Sequence, residues 1–105
     1  MTTGTLHRPM EGWTFLTNHA HVLVCVARDP DARARDIADA VGITERAVLA
    51  ILNDLVEGGY LERERVGRRN HYTVNADRPF RHPLEQHAQV RALLDVVAAV
   101  DDPGR

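Results

Sequence analysis

The stretch of sequence that decides the fold is 36–74, DIADAVGITERAVLAILNDLVEGGYLERERVGRRNHYTV. Its first half carries apolar residues at steps of three and four, which is the spacing of amphipathic helices. Gly42 interrupts that spacing, and glycine tolerates the left-handed backbone that a tight turn requires. Thr44 follows, and its short side chain suits the cap of a second helix. We therefore expect two short helices separated by a sharp turn.

Both expected helices have a defined apolar face. The face of the first helix contains Ile37, Ala38 and Val41. The second helix runs from Thr44 to a stop at Gly58 and Gly59. Its apolar face contains Val48, Ile51, Leu52 and Leu55. Two helices joined by a turn of about three or four residues that contains glycine form the helix-turn-helix pattern.

The second half of the stretch predicts a β-hairpin with a positive tip. Residues 61–66 and 71–74 favour strands, and Leu61, Tyr72 and Val74 are available to a core. Residues 67–70 form a short polar loop of the kind that closes a hairpin. The arginines in and beside this loop are Arg63, Arg65, Arg68 and Arg69. The question is what this charged tip contacts.

Length and composition fit one soluble domain. The chain has 105 residues, of which 44% are hydrophobic and 27% are charged. No apolar run approaches the roughly 18 residues needed to span a bilayer, and no signal peptide is visible, so we expect no membrane segment. The single cysteine, Cys25, excludes an internal disulfide and suits a reducing cytoplasm.

Positive charge is concentrated around the hairpin. The net charge is −2, and all 13 basic residues are arginine. Residues 63–81 contain six arginines against Glu64 and Asp77, so this segment is +4 and the rest of the chain is −6. A basic patch on an acidic protein is typical of a nucleic-acid-binding surface, although a solvated surface run is the alternative.

The segments that flank this stretch are less sharply defined. Residues 1–12 lack periodicity and are expected to form a mobile arm, whereas Trp13, Phe15 and Leu16 are expected to dock on the core. Residues 21–27, HVLVCVA, suit either a helix or a buried strand, and periodicity alone does not decide between them. The domain is expected to cover residues 13–77.

A linker and a last helix are expected after the hairpin. The prolines in residues 78–83 disfavour helix and predict an extended linker, with Pro83 in the first turn of a helix over residues 84–100. An apolar stripe follows this helix through Val90, Leu93, Leu94, Val97 and Val100. Because such a stripe must be buried against something, we expect a C-terminal dimerisation helix, with packing inside the protomer as the alternative.

The whole stretch resembles the DNA-binding half of MarR- and ArsR-type bacterial transcription regulators over residues 33–74. The resemblance is carried by Ala38 and Gly42, then Val48 and Ile51, and by the Gly-Tyr-Leu sequence before the arginine-rich turn. It implies a winged helix-turn-helix of the α+β class, mostly α. It also implies that residues 21–27 are the first helix, and that the protein is a cytoplasmic homodimer bound to double-stranded DNA.

The resemblance assigns two sets of residues to the DNA. The helix after the turn enters the major groove, and the hairpin, or wing, contacts the adjacent backbone or minor groove. The recognition helix would present Thr44, Glu45, Arg46, Leu49, Ala50 and Asn53. The wing would present Arg63, Arg65, Arg68, Arg69, Asn70 and His71. In this scheme Thr44 and the first amides hold a phosphate, Arg46 reads guanine, and Asn53 reads adenine or touches the backbone.

Three of these positions leave alternatives open. Leu49 and Ala50 stand where such helices often carry long polar side chains, and a leucine contact with a thymine methyl gives modest specificity. The protein therefore reads DNA loosely through shape and charge, or uses this face for another protein. Arg46 can instead pair with Asp36, Asp39 or Asp54 on the surface.

Sensing and catalysis receive less support. His21 and Cys25 share a helix face at metal-pair spacing, and His87 is a further candidate ligand, but a buried structural cysteine is the stronger interpretation. An effector cavity at a dimer interface, lined by Trp13, Phe15 and histidines, is a third hypothesis. We expect no cofactor and no enzyme, because the sequence lacks serine, a phosphate-cradling glycine loop and paired carboxylates at a cleft.

Overall fold

Three helices precede a two-stranded antiparallel hairpin and a fourth helix. The structure, a computed structural model, describes residues 12–101, with side chains described as far as Val97. Its elements are α1 (Asn18–Arg28), α2 (Ala34–Val41), α3 (Glu45–Glu57), β1 (Leu61–Val66), β2 (Arg69–Val74) and α4 (Val90–Asp101). The mostly helical α+β class and the winged helix-turn-helix order are confirmed. The predicted arm, apart from Gly12, lies outside the described residues.

Helix α1 includes the segment that periodicity left undecided between helix and strand. Its first turn is capped by Thr17, whose hydroxyl oxygen accepts from the Ala20 amide at 3.2 Å. Val22, Leu23 and Val26 are buried on the side that faces α2 and α3. The β-branched residues in this segment therefore serve core packing within a helix.

The turn between α2 and α3 has the geometry that the sequence predicts. Gly42 has φ +88°, and its amide and that of Ile43 both donate to the Ala38 carbonyl, at 2.8 and 3.1 Å. Thr44 then caps α3 by accepting from the Ala47 amide at 3.0 Å. The left-handed glycine closes α2 and the threonine opens α3. These local residues therefore fix where α2 ends and where α3 begins.

The hairpin is tighter than predicted. Val66 pairs with Arg69, so the turn consists of Gly67 and Arg68 alone. Gly67 has φ +63°, which a residue with a β-carbon rarely adopts. Because two-residue turns match the twist of the strands, β2 begins at Arg69 and not at residue 71. Arg69 and Asn70 therefore belong to the sheet and not to the loop.

One core joins the helices to the base of the hairpin. The predicted faces of α2 and α3 are buried or half-buried, and Leu61 and Tyr72 are buried with them, while Val74 packs at the edge. Trp13 and Phe15 do not dock on this core, because they are 75% and 91% exposed. Their rings pack edge to face on each other, with centroids 5.0 Å apart. Apolar character alone does not place a residue inside, because much of a folded surface is apolar.

The segment between β2 and α4 is a closed loop, which corrects the predicted extended linker and the predicted helix start at Leu84. The amide of Val90 donates to the Arg78 carbonyl and that of Arg91 to the Ala76 carbonyl, both at 2.9 Å. Inside the loop, the Phe80 amide donates to the Ala88 carbonyl at 3.1 Å. Because these backbone groups pair across the loop, they do not form the ladder of a helix, and α4 begins at Val90.

The apolar stripe along α4 is partly buried inside the protomer. Val90 is 2% exposed and belongs to the core, and Leu94 packs against that core. Leu93 and Val97 are half-buried, whereas Val96 is 65% exposed. The side chain of Val100 lies outside the described residues. Intramolecular packing thus accounts for the first turns of the stripe, and a role in dimerisation stays a prediction.

Candidate nucleic-acid interface

The outward face of α3 is the first of two exposed surfaces that meet. Its inward positions at three- and four-residue steps are held in the core, so the remaining positions face solvent. All six residues predicted on this face are exposed: Thr44, Glu45, Arg46, Leu49, Ala50 and Asn53. Leu49, which is 50% exposed, is one of the few large apolar side chains left open on the described surface. The face is therefore mixed, with apolar positions at its centre.

The second surface is produced by the alternation of charges in β1, LERERV. Successive side chains of a strand point to opposite faces, so Arg63 and Arg65 share the face of buried Leu61. Glu62 and Glu64 occupy the other face. The hairpin, called the wing below, consequently has a basic face formed by Arg63 and Arg65. The two glutamates share the opposite face with Arg69 and His71 of β2, which lie across from Val66 and Glu64. The net charge of the segment did not reveal that the arginines and glutamates of β1 lie on opposite faces. The alternation of these residues at every second position was nevertheless visible in the sequence.

The basic face of the wing is joined to α3 by one hydrogen bond. The guanidinium Nη1 of Arg63 donates to the side-chain oxygen of Asn53 at 3.0 Å. Both residues were predicted to contact DNA, and the structure brings them together directly. The exposed face of α3 and the basic face of the wing are therefore continuous.

The tip of the wing carries the least constrained charge. The Nε atom of Arg65 donates to the Gly67 carbonyl at 3.3 Å, which folds that side chain along the turn. Arg68, which lies in the turn itself, makes no hydrogen bond or ion pair in the described part of the chain. Its guanidinium is therefore free to bind an anion.

The second strand of the wing is anchored on the loop between α1 and α2. The amide of Tyr72 donates to the Pro30 carbonyl at 2.9 Å, and the guanidinium of Arg69 donates to the Asp31 carbonyl at 2.7 Å. The Nδ1 atom of His71 lies 2.7 Å from the Asp31 carboxylate and acts as donor, since an ionised carboxylate only accepts. Arg69 and His71 thus hold the wing in place. Asn70, also predicted to contact DNA, is half-buried in β2 beside them.

A groove of about 350 Å³ separates the wing tip from α3. Its walls include Leu49 of α3, Arg68 and Arg69 of the wing, and Arg33 immediately before α2. Sequence reasoning missed Arg33 and Asp31, because they precede the first residue of the wing, Leu61, by 28 and 30 residues and carry no local motif. Arg33 adds a further positive group to the same side of the molecule.

Arg46 does not form the surface ion pair with an aspartate that the alternative interpretation predicts. Within residues 12–101 it makes no hydrogen bond and no ion pair. One of its three candidate partners, Asp54, instead contacts the Nε2 atom of His19 at 2.8 Å. The guanidinium of Arg46 is therefore available to a ligand on the outward face of α3.

Comparison with known proteins agrees with this architecture. Residues 14–69 match the model of the MarR family. The chain belongs to the MarR family. Among solved structures, it is similar to the AntR antimony-specific transcriptional repressor, with a TM-score of 0.50 and 24% identity over 79% of this chain. The aligned part covers 65% of the AntR chain, so this likeness concerns the fold. No curated protein matches the sequence.

Membership of the MarR family confirms the central prediction from sequence, a DNA-binding transcription regulator with a winged helix-turn-helix. The family is one of transcription regulators. Among residues 12–101, no helix has the length and apolar character needed to cross a bilayer.

The candidate metal ligands are not gathered into one site. The described residues include no group of three His, Cys, Asp or Glu side chains placed to hold a metal ion. His21 and Cys25 line a groove beside α4, together with Val97. His87 lies in the exposed loop before α4. Cys25 is half-buried against the core, so it is less buried than the structural interpretation predicts.

Burial raises the pKa of the Cys25 thiol above its ordinary value, and the charge of Arg28 lowers it by a smaller amount. Because the thiolate is the reactive form, we expect Cys25 in the native chain to react several-fold more slowly with a chromogenic disulfide at pH 7.5 than the same thiol in urea. The native rate should rise with pH beyond the point where an ordinary cysteine levels off. Equal native and unfolded rates would contradict this expectation.

Proposed function

We propose that this MarR-family chain regulates transcription by placing α3 in the major groove of double-stranded DNA and the wing on the adjacent backbone or minor groove. The observation that carries the proposal is the hydrogen bond from Arg63 to Asn53, which makes the basic face of the wing continuous with the outward face of α3. One duplex can therefore meet both surfaces at once. Because the chromosome is the target, the protein works in the bacterial cytoplasm.

The residues of the wing have unequal roles in this proposal. Arg63, Arg65 and Arg68 contact phosphates, since their charged groups lie on the basic face or at the tip. Arg33 contributes from across the groove. Arg69 and His71 act chiefly by fixing the wing to the loop before α2, because Asp31 already engages both side chains. This division differs from the equal assignment that the family resemblance implies.

A homodimer completes the proposal. Two-fold symmetric dimers place their recognition helices about 34–36 Å apart, one turn of duplex DNA. The outer part of α4, where Val96 is exposed and Leu93 and Val97 are half-buried, offers apolar surface for a partner copy. Val90 and Leu94 support that surface from within the protomer. Sedimentation of the free protein would test this assembly.

Salt dependence tests the DNA proposal. With about four phosphate contacts per protomer, a plot of log K against log salt should have a slope near −7 for a dimer. Arg68→Ala should flatten the slope by about one unit per protomer, because each protomer then releases one counterion fewer from the DNA when it binds. Arg91→Ala is the matched control, since Arg91 lies on α4 and pairs with Asp77. Binding that does not respond to salt would exclude the proposal.

Two alternative functions use the outward face of α3 for a protein, or a second groove for an effector. A protein partner can dock on Leu49 and Ala50, in which case Leu49→Asp abolishes its capture and no DNA is shifted. An organic effector can enter a groove of about 330 Å³ between α1, α3 and α4, whose walls include Leu23, Tyr60 and Phe80. A metal effector has less support, because the described residues gather no ligand set.

A further inference from the structure

The polar groups on the outward face of α3 are not equally free to contact bases. The inference drawn from this difference rests on the proposed function, DNA binding by α3. The hydroxyl oxygen of Thr44 already accepts from the Ala47 amide at 3.0 Å. The side-chain oxygen of Asn53 already accepts from Arg63 at 3.0 Å. Asparagine reads adenine with two bonds, and one of these requires that oxygen. Each of these oxygens therefore has one of its two acceptor sites occupied and its orientation fixed, which limits what the residue can offer to a base.

The side chains of Arg46 and Leu49, in contrast, are exposed and are not hydrogen-bonded to other residues of the described chain. The guanidinium of Arg46 has no partner in the described part of the chain, and Leu49 is half exposed beside the groove under the wing. Residues three apart on a helix are neighbours, with β-carbons about 5–6 Å apart. Stacked base pairs are about 3.4 Å apart, so these two side chains reach the same or neighbouring base pairs.

The chemistry of the major groove identifies what these two side chains can read. Guanine presents two acceptors that match the guanidinium fork, and the only apolar group on the base edges is the methyl of thymine. We propose that α3 reads bases chiefly through Arg46 and Leu49, which contact a guanine and a thymine methyl in the same or adjacent base pairs. Asn53 is a positioning residue that holds Arg63 against the backbone.

The surroundings of Leu49 favour DNA over a protein as the occupant of this face. Covering an exposed leucine stabilises a complex because apolar surface leaves water. The groove beside it is lined by Arg33, Arg68 and Arg69 against one carboxylate, Asp31, so its net positive charge favours an anionic occupant. A thymine methyl lies on the base edge of a duplex flanked by phosphates, which satisfies both requirements at once.

Two atomic substitutions in DNA test the proposal. Duplexes retained by the full chain are first selected from a random library, and one half-site is then synthesised with single changes. Uracil in place of thymine removes only the methyl, and we expect about fourfold weaker binding per half-site. 7-Deazaguanine removes one acceptor of guanine, and we expect about tenfold weaker binding per half-site.

Protein variants assign each effect to one side chain. In Leu49→Ala the uracil and thymine duplexes should bind equally well, and in Arg46→Ala the 7-deazaguanine effect should disappear. Asn53→Ala should weaken all duplexes by a similar factor and leave both ratios unchanged. All three positions are exposed, so these variants should fold.

The outcomes separate this inference from the proposed function. A uracil effect that persists in Leu49→Ala, or a selected library without a common sequence, overturns the inference while DNA binding stands. Loss of discrimination at one base pair in Asn53→Ala also overturns it, because Asn53 would then be a reader. If no duplex is retained at low salt, the proposed function itself is wrong.

Discussion

Exchanging the charges of β1 between its two faces should weaken DNA binding by about a hundredfold per protomer at 0.1 M salt, because two phosphate contacts are lost and each contributes roughly tenfold. The exchanged chain carries Glu62→Arg, Arg63→Glu, Glu64→Arg and Arg65→Glu. Its composition and net charge are identical to those of the natural chain. Titration of a fluorescent duplex at several salt concentrations gives the affinity and the number of released ions.

The exchange isolates the effect of geometry from that of total charge. If only the number of arginines in the wing mattered, both chains would bind equally well, and the assignment of a basic face would be wrong. The variant with Glu62→Gln and Glu64→Gln is a second control. It alters only the face opposite to Arg63 and Arg65, so it should change the affinity by less than about threefold.

Replacing Leu52 with alanine should markedly lower the temperature at which the domain unfolds. Leu52 is 2% exposed and packs in the core that α3 shares with α1 and α2. A leucine-to-alanine change at such a site costs about 2–5 kcal/mol, because it removes buried surface and leaves a cavity. For a domain of this size, a loss of 3 kcal/mol lowers Tm by roughly 12–24 °C, which thermal melting followed at 222 nm would measure.

Leu49→Ala is the matched control for this change. The two leucines lie on the same helix, but Leu49 is 50% exposed. Its removal should cost less than about 1 kcal/mol, since little surface is buried there and no enclosed cavity forms. Comparable losses of stability in the two variants would show that the outward face of α3 is packed against something in the free protein. That result would also remove the basis for its proposed role on DNA.

The elements that sequence predicts well are those fixed by nearby residues. Gly42 and Thr44 determine where α2 ends and α3 begins, and Gly67 in the turn marks the end of β1. The period of three and four in α3 identifies its buried face without further information. Each of these signals acts within a few residues, so no knowledge of distant contacts is needed.

The features that sequence does not predict depend on contacts between distant segments. The start of α4 moves from Leu84 to Val90 because carbonyls at Ala76 and Arg78 accept its first amides. Asp31 holds Arg69 and His71 from across the fold, so a residue with no motif decides how two wing residues act. Trp13 and Phe15 stay outside because the helices fill the core without them.

The length of the loop before α4 does not determine where that helix lies. The first amides of α4 bond to residues just beyond β2, and Pro79 bridges Gln89, so the loop closes on itself before the helix begins. Residues 81–87 are exposed and lie beyond this closure. Extra residues inserted there would add only a small entropic cost of a longer loop. This loop is therefore a place where an affinity tag or a fluorophore can be carried while the wing and α4 keep their spacing.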